Sequence, residues 1–304
     1  MLDDVAILSK VAAKKTAGVL GDDLALNAEQ VSGVKADREL PVVFAVAKGS
    51  LLNKLILVPS ALLISYFASW LVTYLLIAGG LYLCFEGIEK LLHKLMSSKQ
   101  ELEQEQEHQH KLAALADPNV NIADLEKTKI KGAIITDFVL SAEIIVIILG
   151  TVQNEPFSTQ IAVLSLMSIV FTVGVYGLVA MIVKIDDLGL YLVRCAVADG
   201  GRSVKRTLGN TLLRFAPILM KLLSIVGTAA MFLVGGGIIA HGIPALHRFV
   251  EYSIEVVSVF PNMNNLIGSL TGIMMNGFVG IVAGLLAFGI FIGVQKLFST
   301  RRKY

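Results

Sequence analysis

The sequence has few charged residues and almost no cysteine. Charged side chains make up 16% of its 304 residues, whereas soluble domains carry about 25%. The net charge at pH 7 is only +2, which by itself says little about nucleic acid. The basic residues lie at the ends of apolar blocks, and we expect no nucleic-acid partner. Cys84 and Cys195 are the only cysteines, and neither belongs to a CxxC or Cys/His pattern. This scarcity argues against a disulfide framework and against a structural zinc site.

Hydrophobic residues, in contrast, form 55% of the chain, and they occur in long blocks. A helix of about 20 apolar residues crosses a bilayer, so the blocks predict an all-α, polytopic transmembrane helix bundle. Polar turns at FASW (67–70) and at residues 152–157 separate two pairs of blocks. The six predicted spans are residues 41–66, 70–92, 132–151, 158–184, 214–241 and 266–297.

Lysine and arginine are distributed unevenly between the connecting segments. The linker 94–131, the insert 185–213 and the terminal STRRKY carry them, whereas the hairpins at 67–70 and 152–157 carry none. With six spans, the three basic segments fall on one side of the membrane, and basic loops face the cytoplasm. We therefore predict a multi-pass protein with a cytoplasmic C-terminus and with membrane lipid as a partner. Homo-oligomerisation is left open.

Two polar motifs share one frame of the form D-x-x-L-[NS]-A-E. Their matched polar residues are Asp23, Asn27 and Glu29 in GDDLALNAEQV, and Asp137, Ser141 and Glu143 in TDFVLSAEIIVIILG. Two apolar spans follow each motif. If the first motif also lies in a membrane-inserted helix, each half has three spans, and the two halves insert with opposite orientation. That is the inverted-repeat plan of many secondary transporters, whose site lies near the midplane.

The repeat hypothesis divides the chain into four regions. The third helices of the halves also resemble each other, because Glu86 in GGLYLCFEGIEKL aligns with His241 in GGGIIAHGIPAL. The predicted regions are a first repeat at 1–93, a cytoplasmic hydrophilic linker at 94–131, a second repeat at 132–243 with a cytoplasmic insert at 185–213, and an amphipathic helix, last span and basic tail at 244–304.

The motif residues have the chemistry of a cation site. On a helix, an Asp and the Asn or Ser four residues later share one face, and a local unwinding would bring the following Glu to them. Carboxylate, amide and hydroxyl oxygens suit magnesium, manganese or calcium. A carboxylate within the membrane is costly, so each one is a functional hypothesis by default. Glu86 and His241 are secondary proton or ion partners in this hypothesis. His241 is equally well explained as an interfacial residue.

A structural alternative exists for the second motif. Asp137 would cap a helix N-terminus at the interface, and Glu143 would pair with a lysine such as Lys129 or Lys131. The histidines of the linker, in ELEQEQEHQHKL, are explained most simply as solvated side chains.

Most of the chain resembles a known type of protein. The stretches VAAKKTAGVLGDDLALNAEQVSGVKADRELPVVFAVAKGSLLNK, LCFEGIEKLLHKL and TDFVLSAEIIVIILGT resemble the YedI type of uncharacterised bacterial inner-membrane protein. This resemblance implies a multi-pass protein of the bacterial inner (plasma) membrane.

A more distant resemblance concerns the motif itself. The stretch from Asp137 to Glu143 is similar to the D-x-x-F-S-x-D-[NS] signature of the TerC family, which is related to LysE-type cation exporters. It has Leu140 in place of Phe and Glu143 in place of the second Asp. The resemblance implies cation export, with manganese as the associated ion. Neither motif keeps the final Asp-Asn pair.

These observations support a secondary transporter of a divalent cation. We expect no cofactor apart from the transported ion. The alternative is a non-transporting scaffold or envelope factor that acts through its cytoplasmic linker and insert. Carboxylates that face each other across a sealed cavity would favour transport, and carboxylates at the two surfaces would favour the scaffold. We expect no enzymatic activity, because HExxH, GxSxG and Walker motifs are absent from the sequence.

Overall fold

The computed structural model describes residues 2–31, 36–96, 122–198, 204–258 and 265–301, and these residues form helices, with described turns at residues 68, 153–156 and 243. The all-α prediction is therefore confirmed. The helices are α1 (Leu2–Val31), α2 (Ala36–Phe67), α3 (Ser69–Met96), α4 (Ile122–Val152), α5 (Phe157–Ala198), α6 (Val204–Gly242), α7 (Pro244–Ser258) and α8 (Asn265–Arg301).

Six of these helices are long and apolar enough to cross a membrane, as the sequence predicts. Large apolar side chains on them are exposed, among them Phe44, Leu55, Phe67 and Trp70, as expected of surfaces that face lipid rather than water. The protein is thus a multi-pass integral membrane protein. The candidate spans are Arg38–Phe67, Ser69–His93, Glu126–Val152, Phe157–Ala196, Val204–Gly242 and Leu270–Gln295.

Both predicted turns are present. The FASW turn is a break at Ala68, between α2 and α3. The second turn separates α4 from α5, where the side-chain amide of Gln160 donates to the backbone carbonyls of Gln153 and Glu155, at 3.3 and 3.0 Å. These bonds satisfy two backbone carbonyls of the turn, which lies outside the hydrogen-bond ladder of either helix.

Other segments differ from the prediction or lie outside the described residues. The described part of the insert predicted at residues 185–213 is helical, because α5 extends to Ala198 and α6 begins at Val204, and its cytoplasmic position stays a prediction. The helices continue beyond their apolar parts because backbone hydrogen bonds do not depend on side-chain hydropathy. Most of the predicted linker (residues 97–121, including His108 and His110) lies outside the described residues.

The chain divides into two compact units. The first contains the described residues between Met1 and Leu63 and between Pro118 and Gly227. Within it, α1 packs against α4 and α5. Its core is built from small and β-branched side chains, which allow helices to approach closely in lipid. Its buried members include Leu24, Ala28, Val31, Val42, Val46, Ala133, Tyr176 and Val179.

The second unit contains the described residues between Ile64 and Asp117 and between Thr228 and Tyr304. Within it, α3 and α7 both pack against α8. Glycines make these approaches close: a Cβ at Gly280 would collide with the backbone of Phe232, and one at Gly284 with the backbone of Cys84. This is the helix-packing role that small residues have in membranes.

The two units do not coincide with the predicted repeats. Each unit takes one part from the first half of the chain and another from the second half. Among the described helices, α1 is not one of the six candidate spans. The inverted repeat therefore stays a prediction.

Candidate functional site

A small buried cavity in the first unit is lined by side chains of α1, α2, α4 and α5. Its volume is about 10 Å³, close to the smallest cavity that can hold one water molecule. Apolar residues such as Leu20 and Phe171 form part of the wall. The polar lining residues are Asp23, Asn27, Lys54, Asp137, Ser141, Thr172 and Tyr176.

The two sequence motifs meet at this cavity. Asp23 and Asn27 lie one helical turn apart on α1, and Asp137 and Ser141 have the same spacing on α4. The i, i+4 spacing places each pair on one helix face. Because α1 packs against α4, both faces contribute to one cavity. All four side chains are buried.

Asp137 is the centre of the hydrogen-bond network. Its Oδ1 accepts from the hydroxyls of Ser50 and Tyr176, each at 2.8 Å. Its Oδ2 accepts from the amide of Asn53 at 3.0 Å and from the hydroxyl of Ser141 at 3.3 Å. Four donors from three helices thus replace the water that a buried carboxylate loses.

Lys54 supplies a positive charge beside this carboxylate. Its Nζ lies 3.8 Å from Asp137 Oδ1, and it donates to Ser50 Oγ at 2.7 Å and to Ser141 Oγ at 2.9 Å. Each serine therefore accepts from the ammonium and donates to the carboxylate. The pair is buried and doubly bridged, and such extra hydrogen bonds are what a buried ion pair needs to offset its desolvation.

Tyr176 lies between the two motifs. Its hydroxyl oxygen is 2.8 Å from Asp137 Oδ1 and 3.3 Å from Asn27 Oδ1. A phenol has one proton to donate, so the shorter contact is the hydrogen bond. The amide of Asn27 in turn donates to the backbone carbonyl of Asp23 at 2.8 Å. Asn27 of the first motif and Asp137 of the second thus both contact the hydroxyl oxygen of Tyr176.

The glutamates of the motifs do not join the aspartates. Glu29 is exposed, and Glu143 is buried but is not part of the cavity lining. The predicted local unwinding is absent, because α1 and α4 run through the motifs without a break. On a continuous helix, a residue six positions after the aspartate points away from it.

The capping alternative for Asp137 is also wrong. Asp137 lies in the middle of α4, fifteen residues after its first residue, Ile122, so it cannot cap the helix N-terminus. Lys54 and the polar partners on α2 and α5 hold it instead.

Glu86 and His241 belong to the second unit. Glu86 forms an ion pair with Lys90 at 2.8 Å, one turn further along α3. His241 is exposed, and its Nδ1 lies 2.7 Å from the backbone carbonyl oxygen of Gly237. Their role as ion partners stays a prediction.

Sequence reasoning missed Ser50, Asn53, Lys54 and Tyr176. One pattern could have identified the first three: GSLLNKL places Ser50, Asn53 and Lys54 at i, i+3 and i+4 within a predicted span. A lysine inside a span is a functional hypothesis by default. Tyr176 has no comparable pattern, because a tyrosine in an apolar helix is unremarkable in sequence.

Comparison with known proteins identifies the family. A family model described as "Protein of unknown function (DUF808)" matches residues 1–290. The chain belongs to the DUF808 family. No curated protein matches it significantly. No solved structure matches it significantly either. All residues of the cavity lie within the range matched to DUF808.

The cavity of this DUF808 protein is lined by oxygen atoms of the kind that bind cations, together with one positively charged side chain. Asp23 and Asp137 carry carboxylates, and Lys54 carries the only ammonium among the residues that line the cavity. Hydroxyl and amide oxygens of the kind preferred by hard cations complete the wall. Within the described part of the chain, no group of three or more His, Cys, Asp or Glu side chains could hold a metal ion.

Proposed function

We propose that this protein is a secondary transporter of a small, divalent cation and that the cavity of the first unit is its binding site. One observation carries the proposal: Asp23 and Asp137, the matched carboxylates of the two motifs, line the same buried cavity. A carboxylate within a membrane span, such as Asp137 on α4, is costly, and burial makes the carboxylate of Asp23 costly as well. Their convergence on one small polar space is what a transport site requires.

The composition of the lining supports a cation as cargo. Asn27, Ser141 and Tyr176 add amide, hydroxyl and phenol oxygens to the two carboxylates. These are hard ligands. The cavity is smaller than an organic substrate needs, because its volume of about 10 Å³ is close to that of a single water-sized molecule.

A cation that enters the cavity meets the ammonium of Lys54, which already interacts with Asp137. Two unit charges 4 Å apart interact by about 4 kcal/mol at an effective protein dielectric constant of about 20, and Lys54 lies 3.8 Å from Asp137. A cation that binds Asp137 therefore competes with this ammonium. At equal distance, a divalent ion attracts Asp137 twice as strongly as the ammonium does.

Resemblance gives the proposal its context. The chain resembles YedI-type proteins over most of its length, and its second motif resembles that of TerC-type exporters. We therefore place the protein in the bacterial inner membrane. The distribution of Lys and Arg supports a cytoplasmic C-terminus, and the paired motifs support inverted repeats. The protein acts without enzymatic chemistry and without a cofactor other than the transported ion.

The same geometry weighs against the scaffold alternative. A scaffold would present its carboxylates to solvent at the membrane surfaces, where partners could reach them. Asp23 and Asp137 are instead each only 5% exposed.

Transport into proteoliposomes tests the proposal. Vesicles that contain a divalent-sensitive dye would receive manganese, magnesium or calcium in turn, with and without a pH gradient. We expect the wild-type protein to move at least one of these ions and Asp23→Asn to lose most of that movement. Asp23→Asn removes one charge and leaves the bridged Lys54–Asp137 pair intact.

Glu29→Gln is the matched control. It removes the same charge from the same motif at an exposed position, so we expect it to transport like the wild type. Rates would be compared per amount of monodisperse protein incorporated. Background-level movement of all three ions by the wild type, or equal loss in both variants, would refute the cavity as a cation-transport site.

A further inference from the structure

A second cavity lies in the second unit, between the C-terminal parts of the spans in α3 and α8. Its volume is about 340 Å³, and its lining residues are Glu89, Leu92, His93, Phe288, Phe291, Ile292 and Gln295. This volume is within the range of small-molecule sites, roughly 300–1,000 Å³. We call it the α3–α8 groove.

The groove lies at the edge of the apolar part of both helices. The candidate spans end at His93 and Gln295, and both residues line the groove. The hydrophobic part of the groove therefore borders the hydrocarbon region, and its polar part borders the headgroup region, where polar and amphipathic side chains collect in membrane proteins.

Aromatic packing gives the groove a firm apolar wall. The ring of Phe85 lies against Phe288 and Phe291, with centroid distances of 5.8 and 5.3 Å. Tyr82 extends this cluster, with its ring centroid 6.4 Å from that of Phe85. These separations are typical of favourable aromatic pairs. Leu92 and Ile292 add aliphatic surface beside the rings.

The polar residues of the groove match the charges of one class of lipid. Glu89 provides a carboxylate for a primary ammonium, and neighbouring aromatic rings favour cations as well. Gln295 has an amide N–H, and His93 a ring N–H, which can donate to a phosphate. The apolar wall can accept the first part of an acyl chain.

We propose that the α3–α8 groove binds a phospholipid with a primary-ammonium headgroup of the ethanolamine type. The ammonium contacts Glu89, the phosphate lies near His93 and Gln295, and an acyl chain follows Phe288 and Ile292. An anionic lipid lacks the partner for Glu89. A choline headgroup cannot donate a hydrogen bond to that carboxylate. The site belongs to the second unit and is independent of the proposed transport site.

Lipid retention by the purified, delipidated full-length protein tests the proposal. The protein would be offered phosphatidylethanolamine, phosphatidylcholine and phosphatidylglycerol with identical chains in equal amounts, and bound lipid would be counted by native mass spectrometry. We expect a preference for phosphatidylethanolamine of roughly tenfold, which is the effect of about one charge-assisted hydrogen bond. Glu89→Gln should remove the preference. Ile292→Trp, whose larger side chain occupies the apolar part of the groove, should lower retention of all three lipids.

Glu251→Gln is the control, because Glu251 is an exposed acid of α7 in the same unit and lies outside the groove lining. It should keep the preference. Free ethanolamine in excess should leave lipid retention unchanged, and displacement by it would assign the groove to a soluble amine instead. Equal retention of the three lipids, or a preference that survives Glu89→Gln in folded protein, would overturn the proposal.

Discussion

Replacing Asp137 with asparagine tests the buried network most directly. The substitution keeps the shape of the side chain and removes its charge. Asparagine can turn its oxygen towards the amide of Asn53, and its own amide then faces the hydroxyls of Ser50 and Tyr176. Hydroxyls can rotate and become acceptors, so these hydrogen bonds are largely replaceable. The negative charge opposite Lys54, in contrast, is lost and is not replaced.

The expected loss of stability follows from that charge. Removing one partner of a buried ion pair costs about 3–5 kcal/mol, because the remaining charge is left uncompensated. At roughly 2–4 °C per kcal/mol for a chain of this size, the unfolding midpoint of Asp137→Asn should fall by about 6–20 °C. Glu29→Gln, at an exposed position, should change stability by no more than about 0.5 kcal/mol.

A double-mutant cycle isolates the interaction energy between Lys54 and Asp137 from the other effects of each substitution. Lys54→Met, Asp137→Asn and their combination would be compared with the wild type in detergent. The measured quantity is the temperature at which half of the monodisperse protein is lost from size-exclusion chromatography. We expect the double variant to be more stable than the sum of the single losses predicts, with a coupling of roughly 1–3 kcal/mol. Strict additivity, or an unchanged midpoint in Asp137→Asn, would refute the buried pair.

Two further substitutions test helix packing and the exposed end of the first unit. A Cβ at Gly227 would lie 2.6 Å from the backbone nitrogen of Asp22, so Gly227→Ala should lower the unfolding midpoint by an amount equivalent to about 1–3 kcal/mol. Gly174→Ala, at a position with open space, should not, and equal effects would contradict the close approach. Arg38 and Glu126 form a two-bonded ion pair at 3.0 and 3.2 Å, but the arginine is 56% exposed. Arg38→Gln should therefore leave the unfolding midpoint nearly unchanged, and a clear loss that persists in 1 M salt would show that the pair is not screened by solvent.

Local patterns in the sequence were sufficient to predict the helices and part of the candidate site. Hydropathy predicted the six spans and the turns between them, because a span needs a continuous apolar run and a turn interrupts it. Helical periodicity predicted that Asp23 lies beside Asn27 and Asp137 beside Ser141. The same periodicity, applied without an unwound segment, excludes Glu29 from that face. The error about Glu29 came from adding a break that neither helix contains.

The partners of Asp137 depend on how separate helices are rotated and aligned. Ser50 and Asn53 are 87 and 84 residues away in sequence, and Tyr176 is 39 residues away. Hydropathy indicates that each helix is apolar, but it does not determine which side of one helix meets which side of another. That choice depends on side-chain packing and on the need of buried polar groups for partners.

The sequence by itself determined that this is an all-helical membrane protein with two similar polar motifs, because these properties are contained in composition and in short-range spacing. Tertiary structure decided that the two motifs share one cavity and that Lys54, within a predicted span, is the counter-charge of Asp137. Contacts between helices far apart in the chain are specified by the whole packed unit, so no short segment contains them.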